Sequence, residues 1–392
     1  MADSQSSSPG WSQLGVQFKM LGTPAPVFPG FEVNITERVA DRDKPDAVWH
    51  RDRARRMLAA HPELRELFGQ TRSTAAWCIL FAGGQVALAV TMYAQPWWLL
   101  ILVAYLVGSW ININLFMLAH ECNHGLVFKS NTWNRWLFTL TSLPMFLTGH
   151  HAWWIEHPVH HNDLGAKKDF IKRRRTILLV TRRTSPMLLP MSLFMLVMQM
   201  LRTLLGLFLY IGSLVRGQLE PGTRALCVLA DEHLVSGYRK YGIQRWAVAY
   251  ALCAIGMMVG LYWYWGVKPL VYLLLSQTFM IGFLHPLLFG MILSNSHFHG
   301  FRCYQPSSSY YGWLNKVTFN FGLHTEHHDL AAVPWNRLPA IRRIAPEFYD
   351  DLFQTKSYAG LALRFALGSE DDFAENFANE NRRNAELIGS EE

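Results

Sequence analysis

Three stretches of the chain carry histidines at metal-ligating spacing. His120-Glu-Cys-Asn-His124 sets two histidines four residues apart. His157-Pro-Val-His160-His161 and His324-Thr-Glu-His327-His328 each set one histidine three residues before an adjacent pair. On a helix, residues three and four apart share a face, so each stretch aims two or three imidazoles in one direction. Imidazole is the commonest side-chain metal ligand and suits zinc, iron, copper and nickel. Eight imidazoles exceed what one tetrahedral zinc site takes. They suit two metals, and a spacing that occurs twice is what two half-sites of one dinuclear centre need. A single histidine at a membrane interface is ordinarily structural, but three clusters on one face are not explained that way.

The elements that must position these histidines are apolar. The chain has 392 residues, 51% of them hydrophobic and only 17% charged, with 15 Trp and 24 Phe. A soluble chain carries about 25% charged residues. The composition points to a multi-pass membrane protein. A span needs about 20 mostly apolar residues, and residues 74–94, 97–119, 246–265 and 270–294 qualify. The first box starts where the second span ends, and His297 and His299 follow the fourth. The linkers Gln95-Pro96 and Gly266-Val-Lys-Pro269 are nearly free of Lys and Arg, whereas residues 51–72, 167–183, 239–245 and 337–343 are rich in them. The positive-inside rule then puts both termini, the middle region and all three boxes in the cytoplasm.

Two apolar stretches are read as interfacial or re-entrant. Residues 136–149 are short for a span and contain Pro144; residues 187–215 contain Pro190, Gln199 and Arg202. Parity decides the second: if it crossed, the second and third boxes would face opposite sides of the membrane. The alternative is a fifth span with unrelated histidine clusters. The expected fold is therefore all-α, with four transmembrane helices and a cytoplasmic helical cap that holds a histidine-ligated dimetal site.

The remaining regions are simpler. Residues 1–42 read as a disordered tail with no signal-peptide pattern, 43–353 as the membrane domain, and 354–392 as a cytoplasmic C-terminal tail. Residues 45–70 read as a basic amphipathic helix on an anionic membrane surface. The five cysteines include no Cys-x-x-Cys pair and imply reduced thiols. The net charge of +7 fits basic cytoplasmic faces, and no base-reading module is visible, so no nucleic-acid partner is expected.

The three boxes resemble those of the membrane fatty acid desaturase superfamily. The sequence around them is most similar to the sphingolipid Δ4-desaturase (dihydroceramide desaturase) family, over about residues 43–353. The matching motifs include Gly108-Ser109 and Ile111-Asn112 before the first box, Trp133-Asn-Arg-Trp136, Leu164-Gly165 after the second box, and Leu284-His-Pro286. Further matches are Tyr310-Tyr-Gly312, Thr318-Phe-Asn-Phe-Gly322 and Ala345-Pro-Glu-Phe-Tyr-Asp350. The resemblance implies an O2-dependent lipid desaturase with two iron ions, which introduces a double bond into a fatty-acyl or sphingoid-base chain. It makes His120, His124, His157, His160, His161, His324, His327 and His328 the iron ligands. It adds a histidine beyond the last span: His299 is expected, with Asn295 four residues before it acting through water, and His297 is the rival. His285 reads as structural. Glu121, Glu326 and Asp329 either orient imidazoles or are simply solvated. The basic runs Lys167-Lys-Asp169 and Lys172-Arg-Arg-Arg175 depart from the family's more acidic stretch after the second box.

No Rossmann fingerprint or fused haem motif is present, so electrons are expected from an external donor, cytochrome b5 or ferredoxin with its reductase. The substrate is expected to be a membrane lipid, and the location a bacterial inner membrane or the endoplasmic reticulum of a eukaryote. Hydroxylation or ketonation of a lipid, alkane or carotenoid by the same machinery is the nearest rival. A metal transporter fits less well, because transport sites sit near the bilayer midplane.

Overall fold

Two helical hairpins carry the long apolar segments. The structure, a computed structural model, describes residues 46–145, 150–162, 164, 243–282, 284–297 and 306–367. Helix α1 (Asp46–Ala60) precedes the first hairpin, α2 (Thr74–Ala94) and α3 (Trp97–Asn123). Helices α4 (Asn131–Ser142) and α5 (His150–Asn162) follow. The second hairpin is α6 (Ile243–Trp265) and α7 (Lys268–Ile281), which α8 (Pro286–Asn295) continues. The C-terminal part holds the short α9 (His324–Asp329), α10 (Leu338–Ile344) and α11 (Tyr358–Leu367). Among the described residues there is no strand, only an isolated bridge between Ser309 and Gln354.

Three helical stretches are long and apolar enough to cross a membrane: Thr74–Ala94, Trp97–Asn123 and Val248–Trp265. The expected fourth span is not one straight helix. It bends by 60° between α7 and α8, so that the pair is either a broken span or a re-entrant loop. The reason lies in Gly282 and Pro286: Gly282 leaves the helix with extended backbone, and Pro286 cannot donate to a preceding turn. His285 caps the new helix, its Nδ1 accepting from Leu288 N at 3.4 Å. The expected interfacial segment 136–149 is the last part of α4 with a 3₁₀ turn at Leu143–Met145. Residues 146–149 and the whole of 187–215 lie outside the described residues.

A buried polar network ties α2, α3 and α7 together. Helix α3 contains a π-helical turn at Ala104–Gly108. Gln85 Nε2 donates to the Gly108 carbonyl (3.1 Å) and to Asn112 Oδ1 (2.9 Å). Tyr272 OH donates to Gln85 Oε1 (3.3 Å), and Asn112 Nδ2 donates to Gln277 Oε1 (3.3 Å). In an apolar medium such groups must satisfy one another. Gly108 permits this approach, because a Cβ there would overlap Ser276 Oγ.

The two hairpin turns lie at the same end. Lys268 Nζ donates to the Gln95 carbonyl at 2.7 Å. Trp97, Trp98, Trp263 and Tyr264 are exposed around these turns, as in an interfacial aromatic belt. The first box, at the far end of α3, therefore lies at the opposite end of the hairpins.

Helix α1, expected at a membrane surface, packs one face into the fold. Asp46, Trp49, His50, Arg53 and Met57 are buried, and Met57 packs with Leu323, Leu330, Leu338 and Tyr349 around the third box. Its basic pattern hid this role, because Arg53 is matched by an acidic group 276 residues away. Arg51, Arg55 and Arg56 remain exposed on the other side. The core also runs past residue 353 into the expected C-terminal tail: α11 packs on α8, with Phe365 against Phe289 at 5.6 Å.

Candidate metal centre

Each box rides on a different helix. His120 occupies the last turn of α3 and His124 caps it, its N–H donating to the His120 carbonyl at 3.1 Å. His157, His160 and His161 lie on α5. His324, His327 and His328 lie on α9, a helix of six residues, all buried. So short a helix is marginal by itself, and its other side chains anchor it. Thr325 N donates to Ser309 Oγ at 3.0 Å. The Glu326 carboxylate accepts from Ser309 Oγ and, at 2.6 Å, from Tyr311 OH. Asp329 accepts from Arg53 Nε at 3.1 Å and Tyr349 OH at 3.0 Å, and lies 2.6 Å from His50 Nδ1.

These helices bring the imidazoles into two groups. His120, His124, His157, His161 and His327 form one; His160, His297 and His328 form the other. Within each group the ligand atoms lie within 4.8 Å of one another. The Nε2 atoms of His124 and His157 are 2.7 Å apart, and those of His161 and His327 3.1 Å apart. In the second group His297 Nε2 lies 3.1 Å from His160 Nε2 and 3.2 Å from His324 Nε2. The two groups adjoin: the His161 and His328 rings stack at 4.3 Å.

The structure thus brings all eight box histidines together, and it adds His297. The expectation of His299 rests on a helix that continues past Asn295. It does not continue: α8 ends at Asn295, Ser296 caps it, and His297 has a φ of 56°. That turn carries the His297 ring into the cluster, where its Nδ1 lies 2.6 Å from the Pro306 carbonyl. Asn295 is half-buried at the helix end, and His299 lies outside the described residues. Because the helix ends at Asn295, helical facing does not choose between His297 and His299, and the turn at Ser296 brings His297 to the cluster.

The electrostatics favour neutral imidazole. Burial, and then the neighbouring histidines, push His157, His161, His327 and His328 well below the ordinary imidazole value. His124 is pushed down to about 3 by burial and His160. Neutral rings keep the lone pairs that a metal requires. His328 Nε2 is buried without a hydrogen-bond partner among the described residues. The nearby carboxylates are engaged elsewhere: Glu326 by Ser309 and Tyr311, and Asp329 by Arg53, His50 and Tyr349. Burial alone would raise the Asp329 pKa, but the Arg53 charge and the His50 hydrogen bond outweigh it and hold it low. His50 itself is lowered, because burial outweighs its Asp329 contact. Arg53 therefore carries the balancing charge. An all-imidazole donor set in two groups fits two metal ions.

A family model for fatty acid desaturase matches residues 96–358, more than half of the chain. The chain belongs to the fatty acid desaturase family. That membership makes it a membrane-bound oxidoreductase of the desaturase class. A sphingolipid delta(4)-desaturase DES1-like protein of Oryza sativa subsp. japonica is 29% identical over 321 residues, 81% of this chain and 86% of its own. The sphingolipid delta(4)-desaturase DES1 of Gallus gallus is 26% identical over 324 residues, 81% and 88% of the two chains. The human sphingolipid delta(4)-desaturase/C4-monooxygenase DES2 is 29% identical over 328 residues, 81% and 87%. No solved structure matches this chain.

The sequence reading missed His50, Arg53 and Ser307. His50 sits 5.1 Å from the His328 ring, and Ser307 Oγ lies 3.2 Å from His50 Nε2 and 3.1 Å from Thr325 Oγ1. A buried-facing histidine and arginine one helical turn apart were the only signal, and it was masked by the surrounding arginines.

Proposed function

We propose that the protein is an O2-dependent sphingolipid desaturase that introduces a double bond into the long-chain base of a membrane lipid, using two histidine-held iron ions. The observation that carries this reading is the pair of convergent imidazole groups, built from three boxes in a chain of the fatty acid desaturase family. His120, His124, His157, His161 and His327 hold one ion. His160, His297, His324 and His328 hold the other. When bound, the iron pair supplies the redox centre at which O2 is reduced while two vicinal hydrogens leave the lipid chain.

The protein's own residues shape the rest. Burial of the boxes excludes bulk water from the reacting carbons. The tethers on Glu326 and Asp329 keep these carboxylates off the ions and fix the direction of α9. Two apolar hairpins with the boxes at one end let a lipid chain approach from the bilayer. The architecture is four membrane crossings, with the α7–α8 pair as one broken span, and a cytoplasmic helical cap. The termini and metal centre face the cytoplasm, and electrons come from an external carrier, cytochrome b5 or ferredoxin with its reductase.

A second reading, hydroxylation at the same carbon, is favoured by one observation: the human relative is named a desaturase/C4-monooxygenase. Lipid mass spectrometry of a host that expresses the chain separates the two. Long-chain bases that lose two hydrogens support desaturation, and bases that gain one oxygen support hydroxylation. The His124→Ala variant should yield neither. A lipid profile identical to that of the same host without the chain overturns the proposal.

A further inference from the structure

One face of α4 carries polar atoms that the described fold leaves unused. They belong to Arg135 and Thr139, four residues apart and so on one side of the helix, with Ser142 a further turn along it. That side faces α6. The Arg135 guanidinium lies 5.8 Å from the Trp246 ring centroid, and Tyr250 OH donates to the Ser142 carbonyl at 3.4 Å. Between these two contacts sits Thr139, only 2% exposed. Neither Thr139 Oγ1 nor Arg135 Nε has a hydrogen-bond partner among the described residues, and both atoms are buried. Leaving such groups unmatched costs about 1–3 kcal/mol each, more when charged, so their presence calls for a ligand.

The position is informative. Arg135 also lies 5.1 Å from the Trp154 ring on α5, three residues before His157. Three residues of helix rise about 4.5 Å. Helix α4 begins only seven residues after His124, so Arg135 sits near the end of the fold that carries the boxes. Trp133 and Trp136 flank it and are exposed, which suits the bilayer interface.

We propose that Arg135 and Thr139 bind the polar end of the lipid substrate, donating to its hydroxyl oxygens between α4, α5 and α6. This rests on the sphingolipid reading above. A bond introduced at the fourth carbon lies only a few bonds from the polar end of a long-chain base. The groups that hold that end must therefore stand close to the metal centre, as this pair does. Trp154 and Trp246 shield the guanidinium from water and strengthen its hydrogen bonds.

The test is binding by the full-length protein in nanodiscs, with an N-acyl sphinganine that bears a fluorescent acyl chain. Its analogue without the two hydroxyls serves as the comparison. Arg135→Gln and Thr139→Val should each weaken binding of the sphinganine about tenfold, the size of one lost charge-assisted or buried hydrogen bond. Both should leave binding of the deoxy analogue unchanged. Equal losses for both ligands would mean that the variants only disturb packing, and would overturn the proposal. So would unchanged sphinganine binding accompanied by release of bulk phospholipid, which assigns the pair to lipid phosphate. If the wild-type protein binds no sphinganine at all, the sphingolipid reading falls too. If it binds and desaturates sphinganine but the variants match it, only this site falls.

Discussion

At the scale of single residues, His297 is the position where a local backbone event decides chemistry. Its φ of 56° follows the end of α8 and turns the imidazole toward His160 and His324. His297→Ala should abolish product and lower iron affinity by more than the roughly 10–100-fold that loss of an outer partner costs. His299→Ala should keep most of both. Iron content and product yield, measured side by side, check this; the reverse pattern would restore the expectation drawn from helical facing. The box histidines were legible because their spacing is a local property. His297 was legible as a rival only, because spacing does not reveal where a helix stops. The Asp329 hub was not legible at all, since it joins α1 to α9 across 276 residues. It too makes a prediction. Asp329→Asn leaves the Arg53 guanidinium buried without its counter-charge, which should cost about 3–5 kcal/mol. Adding Arg53→Met should recover much of that loss, because an apolar replacement of a whole buried pair is often neutral. Thermal unfolding of the single and double variants reads the difference, and a double variant no more stable than the single would refute the pairing.

Among elements, the apolar runs were readable from composition, and their ends were not. Three of the four expected spans correspond to helices long and apolar enough to cross, while the fourth bends by 60°. Pro286 in the sequence marks the break, but the apolar residues on both sides conceal it. The bend aims α8 so that its end delivers His297 and its side receives α11. That contact depends on Gly290, where a Cβ would overlap the Tyr358 carbonyl. Backbone cannot yield as a flexible side chain can. Gly290→Ala should therefore destabilise the protein by about 1–3 kcal/mol, the usual cost of overpacking. Gly256→Ala on α6, with nothing within 4 Å of its Cβ, supplies the control and should be neutral. Equal melting temperatures for the two variants would mean that α11 does not seat on α8 as described. Helix α11 lies at residues that the sequence marks as a tail, because the ten residues Tyr358–Leu367, apolar except for Arg364, are too few to announce a span.

For the whole molecule, the governing constraint is that the second and third boxes must meet on one side of the membrane. They do meet: His161 and His327 Nε2 are 3.1 Å apart, and His160 and His328 rings are 5.1 Å apart. The chain between the boxes must therefore cross the bilayer an even number of times. In the proposed topology, helix α6 and the broken α7–α8 pair are the two crossings. The hairpin turns fix the other side, because Lys268 binds the Gln95 carbonyl and both turns lie opposite the first box. The proposed orientation rests on the sparse charge of these turns against the basic segments near the boxes. Single cysteines introduced at position 165 and at the exposed position 332 should react with a membrane-impermeant maleimide only from the cytoplasmic side, and cysteines at positions 95 and 266 only from the opposite side. The assay needs a cysteine-depleted background, which Cys78 and Cys122 should tolerate as buried thiols replaced by alanine or serine. Opposite labelling of 165 and 332 would require an odd number of crossings, and no shared metal centre could then be built from the two boxes.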